Sequence, residues 1–158
     1  MLADDLPDAT FGSPPSDGSP LIVRPAAYVV VFDPAGRVAV VSADARGRAR
    51  QTRPLYWLIG GGREAGETAE ATVARECREE LGCEVRLTRP LGRARQFFYG
   101  RDEDAWFDMT ADFFAGRLVG DPTGGQPDLL LHWLNPATES EHFFHRCHAW
   151  AVERAAGE

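Results

Sequence analysis

The stretch that decides the fold runs from Gly61 to Cys83 and reads GGREAGETAEATVARECREELGC. Between Thr68 and Leu81 it contains neither Gly nor Pro and is rich in Ala, Glu and Arg, which are good helix formers. Thr68 suits the N-cap position, because its hydroxyl can accept from a free backbone N–H. Gly82 stands where a helix commonly ends. The stretch therefore predicts a helix of about four turns.

Three acidic residues of this helix, Glu76, Glu79 and Glu80, lie at positions i, i+3 and i+4 and therefore share one face. Like charges at this spacing destabilise a helix by a few tenths of a kcal/mol for each pair. A hard divalent cation would remove the repulsion, and an all-carboxylate site suits Mg²⁺ or Mn²⁺. The charge pattern taken alone would also fit a solvated helix face.

The segment before the helix adds a second signal. Residues Leu55–Ile59 (LYWLI) read as a strand, and Gly60–Gly62 follow as a predicted loop. Because glycine has no Cβ, such a loop can bring its backbone close to a metal ion or a phosphate. The predicted unit is strand, glycine loop and helix, with the acids gathered on the helix.

The fixed positions of this stretch are similar to those of a known motif. It has a Gly, five residues, a Glu, seven residues, Arg-Glu, two residues, Glu-Glu, one residue and a second Gly. This pattern resembles the Nudix box of the Nudix hydrolases, the MutT-like pyrophosphohydrolases. Its two apolar-type positions hold Cys77 and Cys83, where members more often have Leu, Ile or Val. Free cysteine behaves as a small hydrophobe, so the pattern is preserved.

The resemblance implies roles for individual residues. Glu76, Glu79 and Glu80 would bind the divalent metal, Mg²⁺ or Mn²⁺, and form the catalytic group, with Glu76 the first candidate for the general base. The backbone carbonyl of Gly60 would be a further metal ligand. The structural positions of the box are Gly61, Glu67, Arg75 and Gly82, and they include an expected Glu67–Arg75 pairing.

The family often adds a carboxylate from the loop before a strand that ends in a Trp-apolar pair, here Trp133-Leu134. Asp128 fits that position best and Asp121 is next, and a solvated loop acid is the alternative for either. Arg53, with Arg46, Arg48 and Arg50, lies on a Gly-containing loop that could clamp distal phosphates, although a solvated loop explains the charges as well.

Phe97, Phe98 and Tyr99 lie about sixteen residues past the box, in a zone where Nudix subgroups place specificity residues. A Tyr near this offset occurs in dinucleoside polyphosphate hydrolases, and no Pro of the ADP-ribose type occupies the zone. One of these aromatic rings could stack on a base, and Phe97 and Tyr99 are the candidate substrate contacts. The alternative is a strand whose alternate residues fill the core.

The resemblance implies an enzyme that cleaves a pyrophosphate bond of a nucleoside diphosphate linked to another group, by attack of water at phosphorus. Two alternatives share the fold. A non-catalytic nucleotide sensor tends to lose box glutamates, and all of them are present here. An isomerase would need additional catalytic residues, and the sequence identifies none.

The composition excludes several classes. The net charge of −7 argues against a nucleic-acid binder, and no apolar run approaches the ~20 residues that span a bilayer. The N-terminus is Pro/Ser/Gly-rich and unlike a signal peptide, which predicts a mobile tail over residues 1–20 and one domain over 21–158. We expect a cytoplasmic protein with reduced cysteines. Many relatives are dimers, so a homodimer is among the expected states.

The remaining pattern predicts an α/β (α+β) protein, the Nudix α/β/α sandwich with a mixed β-sheet between helices. The expected strands are Ala26–Asp33, Arg37–Ala43, Glu84–Thr88, Leu91–Tyr99, Trp106–Ala115 and Leu129–Leu134. A final helix is predicted over Glu139–Ala155. It would carry His142, His145 and His148 as helix surface or core, since no Cys/His pair elsewhere completes a zinc site.

Overall fold

A computed structural model describes residues 5–43, 55–125 and 129–157. Its seven strands are β1 (Ala9–Phe11), β2 (Leu21–Val31), β3 (Val38–Ala43), β4 (Tyr56–Gly62), β5 (Glu84–Gly100), β6 (Ala105–Val119) and β7 (Leu129–Leu134). Its helices are α1 (Ala69–Leu81), the short α2 (Pro136–Glu139) and α3 (Arg146–Ala156), with a 3₁₀ turn over Ser140–His142.

The strands form one mixed sheet in the order β1-β5-β6-β2-β4-β3-β7. β2 pairs in parallel with β6 and β1 pairs in parallel with β5, whereas the other neighbours are antiparallel. The prediction of a mixed sheet is therefore confirmed.

Two hydrophobic cores lie on opposite faces of this sheet. Alternate residues of β2 supply both, because successive strand side chains point to opposite faces. Ala27 and Val29 belong to the core that contains α1, and Ala26 and Tyr28 belong to the core that contains α3. The sheet is thus a layer between helices, as the α/β/α prediction requires. We call the two faces the α1 face and the α3 face.

The glycine triplet differs from the prediction of a loop. Gly60–Gly62 are the last residues of β4, where they pair with Ala26–Tyr28 of β2. The strand therefore continues through the glycines, and the loop that leads into α1 begins only after Gly62. Glycine is a weak strand former in general, so the ladder with β2 overrides local propensity at this point.

β5 also differs from prediction. The sequence predicts two strands, Glu84–Thr88 and Leu91–Tyr99, with a break at Arg89 and Pro90, but one strand runs from Glu84 to Gly100. The register with β6 shifts at Leu87/Arg89 and again at Pro90/Gly92. Pro and Gly mark irregularities within a strand here, since β-bulges tolerate both residues.

The single C-terminal helix predicted over Glu139–Ala155 is wrong. The chain leaves helical geometry after His142, Phe143 forms a parallel bridge with Tyr56, and the Phe144 N–H donates to the Tyr56 carbonyl at 3.0 Å. α3 then begins at Arg146. A tertiary contact to the start of β4 causes the break, so His142 and His148 lie on separate elements.

Ala9–Phe11 fall within the N-terminal segment predicted to be mobile, and they form β1 at the sheet edge beside β5. The ring of Phe11 packs edge-on against Trp150 of α3, at 6.4 Å between centroids. The division into a tail over 1–20 and a domain over 21–158 stays a prediction. Among the described residues, no helix is long and apolar enough to cross a membrane.

Two buried histidines predict acid sensitivity. Burial lowers the pKa of His145 to about 3 and holds the pKa of His148 well below its usual 6.5. As pH falls below about 6.5, the unfolded chain therefore binds protons that the folded chain does not, and the free energy of unfolding decreases. Between pH 7 and pH 5, each such histidine decreases the free energy of unfolding by about 2 kcal/mol.

His148→Gln isolates one of these contributions, because glutamine can still accept the hydrogen bond that His148 Nδ1 receives from the Leu58 N–H at 3.1 Å. Urea unfolding of both proteins at pH 7 and pH 5 measures the change. We expect the variant to lose about 2 kcal/mol less than the wild type over this interval. Equal losses in the two proteins would contradict the assignment of a depressed pKa to His148.

Candidate active site

Helix α1 has the local signals that the sequence predicts. The Thr68 hydroxyl accepts from the Ala71 N–H at 3.1 Å, so Thr68 is the N-cap. At the other end Gly82 adopts a left-handed conformation, with φ of 69°, and its N–H donates to the Arg78 carbonyl at 3.0 Å. The thiols of Cys77 and Cys83 meet at 4.0 Å and both are free, which is the apolar contact that accompanies such a helix end.

The predicted pairing of Glu67 with Arg75 is confirmed. Arg75 Nε lies 2.7 Å from Glu67 Oε2, and Nη2 lies 2.9 Å from Oε1, which is a bidentate geometry. The Arg75 hydrogen bonds, together with the Glu64 N–H and the Thr72 hydroxyl, lower the pKa of Glu67 to about 2. This ion pair fastens the segment before α1 to the body of the helix.

Arg75 also binds two of the predicted metal ligands. Its Nη1 lies 3.0 Å from Glu76 Oε1 and 3.2 Å from Glu79 Oε2, while Nη2 donates to the Gly62 carbonyl at 3.1 Å. One guanidinium thus connects the acids of the helix to the end of β4. Both carboxylates thus have a positively charged partner within the protein.

Glu80 is the most buried of the three acids, at 6% exposed, and its Oε1 accepts from the Gly60 N–H at 2.9 Å. Burial raises the pKa of Glu80 to about 9, and the neighbouring carboxylates of Glu76 and Glu79 act in the same direction. Burial also raises the pKa of Glu76, against the lowering effect of Arg75. The site therefore concentrates acidic groups where ionisation is unfavourable without a counter-charge.

The glycines of β4 make this close approach possible. A Cβ at Gly61 would lie 2.8 Å from Glu76 Oε1, so a side chain there would displace the carboxylate. Gly60 has φ of +144°, and a Cβ there would overlap the Ala27 carbonyl oxygen. The two positions are thus glycine for steric reasons, and they let the acids lie directly against the strand.

The side chains fit a hard divalent cation. Glu76, Glu79 and Glu80 offer only oxygen donors, and their mutual repulsion and burial would be relieved by a dipositive ion. Among residues 5–43, 55–125 and 129–157, no three potential ligands already converge as a metal cluster. Glu76, Glu79 and Glu80 are the side chains that would hold the ion, and Arg75 is paired with the first two of them.

The loop after β6 lies against the C-terminal end of α1. The Thr123 hydroxyl donates to the Gly82 carbonyl at 2.8 Å, and a Cβ at Gly125 would overlap the backbone of Glu80. Asp121, at the start of this loop, is exposed. Two predicted site residues and three associated arginines fall outside the described residues, namely Asp128, Arg53, Arg46, Arg48 and Arg50.

Phe97 and Tyr99 lie on the α1 face of β5, and both have partners within the protein. Arg95 lies over the Phe97 ring at 4.6 Å, and the Tyr99 hydroxyl donates to Asp104 in the turn after β5. Their role as substrate contacts stays a prediction. Phe98, between them, points to the α3 face and meets the His145 ring at 4.5 Å, a contact that the sequence does not indicate.

Comparison with known proteins identifies the family of this chain. The NUDIX domain profile matches residues 23–148, so the chain belongs to the Nudix family, the pyrophosphohydrolases whose box its sequence resembles. No curated protein sequence matches the chain.

Solved structures of the family share the fold at low sequence identity. A NUDIX hydrolase from Nitrosomonas europaea has a TM-score of 0.64 at 15% identity, with 86% of this chain and 90% of that chain covered. The MutT protein from Methanosarcina mazei Go1 has a TM-score of 0.63 at 17% identity, with 87% of this chain and 95% of that chain covered. An ADP-ribose pyrophosphatase from Streptococcus suis has a TM-score of 0.55 at 14% identity, with 85% of this chain and 92% of that chain covered. The fold prediction is confirmed.

Proposed function

We propose that the protein is a metal-dependent hydrolase that cleaves a pyrophosphate bond in a nucleoside diphosphate linked to another moiety. The observation that carries the proposal is the set of three box glutamates along one side of α1, of which Glu80 is buried against the Gly60 N–H and Glu76 is partly buried. Buried acids of this kind are costly to a fold, and they occur chiefly at sites that bind cations or carry out catalysis.

In this proposal Glu76, Glu79 and Glu80 hold Mg²⁺ or Mn²⁺, with the Gly60 carbonyl as a further ligand. The bound metal would polarise phosphoryl oxygens and lower the pKa of the attacking water. Glu76 is the candidate general base. It is more accessible than Glu80, with 18% of its side chain exposed, and Arg75 holds its carboxylate in place.

Arg75 has a positioning role. It is bound to Glu67, Glu76, Glu79 and the Gly62 carbonyl, so it connects the segment before α1, the helix and β4. The bidentate contact with Glu67 fixes the guanidinium independently of Glu76 and Glu79. Arg75 would therefore keep its position beside these two carboxylates when they hold a metal.

The substrate class of the neighbours is broad, as the names MutT and ADP-ribose pyrophosphatase indicate. Our proposal therefore includes nucleoside triphosphates, dinucleoside polyphosphates and similar nucleotides. The alternative of a nucleotide sensor is less favoured because every box glutamate is present. A cytoplasmic location and a homodimer stay predictions.

A product screen tests the proposal. Purified protein with Mg²⁺ or Mn²⁺ is incubated with nucleoside triphosphates, their oxidised forms, dinucleoside polyphosphates, ADP-ribose and nucleotide sugars. We expect metal-dependent release of a mononucleotide from at least one class. No turnover across the panel, together with tight nucleotide binding, would favour the sensor, and a product of unchanged mass would favour an isomerase.

A further inference from the structure

Arg24, on the α3 face near the glycine triplet, has no acidic partner among the residues that the structure describes. Arg24 of β2 is half-buried, and its guanidinium lies over the Phe107 ring at 5.8 Å from the centroid. In the described part of the chain no carboxylate pairs with it. By contrast, Arg95 on the α1 face also lies over a ring but is paired with Asp108 at 2.7 Å. Arg24 therefore keeps hydrogen-bond donors available to a ligand.

One aromatic ring, that of Phe107, contacts this arginine, and further rings pack in sequence from it. Phe98 of β5 stacks on Phe107 at 5.0 Å, and Phe144 meets Phe98 edge-on at 6.0 Å. Phe144 is 36% exposed, and Ile22, two residues before Arg24 on β2, is 49% exposed. Large apolar side chains of this region thus reach the surface. Flat aromatic faces of this kind can stack on a planar ring.

A buried polar group lies in the same cluster. His145, the residue before α3, is 4% exposed, and its Nδ1 has no hydrogen-bond partner among the described residues. Its ring meets Phe98 at 4.5 Å and Phe144 at 4.7 Å. Buried polar atoms normally have a hydrogen-bond partner, so this nitrogen is available to bond to a ligand.

The cluster is close to the candidate active site. A Cβ at Gly62 would lie 3.6 Å from the Arg24 Nε, while a Cβ at the preceding Gly61 would lie 2.8 Å from Glu76 Oε1. Arg24 and Glu76 thus approach consecutive residues of β4 from opposite faces of the sheet. Because the glycines have no side chains, only backbone separates the two groups at this end of β4.

We propose that Arg24, Phe98, Phe144 and His145 form the site that holds the nucleobase of the substrate, and that Arg24 favours a base with carbonyl acceptors. This inference rests on the proposed nucleotide hydrolase function. Arginine offers only donors, and two adjacent acceptors such as O6 and N7 of guanine match its planar fork. The site lies on the opposite face of β5 from Phe97 and Tyr99.

Binding of GMP, AMP and inorganic pyrophosphate to the full chain, measured by calorimetry with Mg²⁺, tests this site. We expect GMP to bind the wild type more tightly than AMP. Arg24→Gln should weaken GMP binding about 10-fold and remove the preference over AMP, because a bidentate contact is lost. Phe144→Leu should weaken both nucleotides about 10-fold through lost stacking. Pyrophosphate, which has no base, should bind these variants as it binds the wild type.

Arg95→Gln is the matched control, since it removes the same charge from an arginine that also lies over an aromatic ring but faces away from the cluster. It should leave all three affinities unchanged. Because Phe144 is partly exposed, its replacement should leave the melting temperature near that of the wild type, which separates lost binding from unfolding.

Three results would overturn the inference. They are equal binding of GMP by the wild type and Arg24→Gln, an equal loss of pyrophosphate and GMP affinity in the variants, and equal affinity of the wild type for GMP and AMP. A negative product screen would instead contradict the proposed hydrolase, and the base-binding measurement would still be interpretable because it requires no turnover.

Discussion

Glu80→Gln is expected to reduce turnover by about 10³-fold or more, equivalent to roughly 4 kcal/mol of transition-state stabilisation. The substitution removes a metal ligand and one unit of charge with little change of shape. The amide oxygen of Gln can still accept from the Gly60 N–H, which the Glu80 carboxylate now binds at 2.9 Å. The measurement is kcat with Mg²⁺ on the best substrate from the product screen.

The same variant should fold at least as well as the wild type. Burial raises the pKa of Glu80 to about 9. In metal-free protein, ionisation of Glu80 therefore decreases the free energy of unfolding as the pH rises from about 4.5 towards 9. Glutamine does not ionise, so the variant avoids this decrease. At pH 8 without metal, urea unfolding should show a variant equal to or more stable than the wild type.

Glu70→Gln is the control, because Glu70 carries the same charge on the exposed first turn of α1. It should keep wild-type turnover. Wild-type turnover in Glu80→Gln would contradict the assignment of Glu80. A loss of activity accompanied by unfolding would show a structural role and not a metal-binding one.

Gly60→Ala is expected to decrease the free energy of unfolding by about 3 kcal/mol or more. The residue has φ of +144°, which side-chain-bearing residues rarely adopt, and its Cβ would lie 2.7 Å from Tyr28 Cα and overlap the Ala27 carbonyl oxygen. Those atoms belong to a central strand, so neither can move without disturbing the ladder between β2 and β4. Urea unfolding monitored by circular dichroism measures the change.

The Gly36→Ala variant measures the loss of stability that comes from backbone strain without steric overlap of the new Cβ. Gly36 has φ of +80° in the turn between β2 and β3, and a Cβ there would meet nothing within 4 Å. Its replacement should cost only about 1 kcal/mol, the strain of a left-handed conformation. Equal losses at the two positions would contradict the view that β4 requires glycine for a close backbone approach.

The box helix could be predicted from the sequence because its signals are local. The Thr68 cap, the Gly82 terminus and the Glu67–Arg75 pair are all set by residues within one helix and its flanks. The mixed sheet between helices was predictable too, since the box resemblance carries a fold with it. In both cases the observed contacts confirm the prediction.

The departures from prediction arise from tertiary contacts. The sequence predicts a strand break at Arg89 and Pro90, but pairing with β6 carries β5 across this point with two shifts of register. No local breaker marks the end of helical geometry at Phe143, where a bridge to Tyr56 interrupts the helix. The cluster of Arg24, Phe98 and His145 joins three distant segments, so no sequence spacing could indicate it.

The most direct test of the account is the dependence of hydrolysis on Mg²⁺ concentration for wild-type protein first stripped of metal. If Glu76, Glu79 and Glu80 form a metal site for pyrophosphate cleavage, mononucleotide release is absent in excess chelator and rises to saturation as Mg²⁺ is restored. Turnover that persists unchanged in chelator would contradict the central claim.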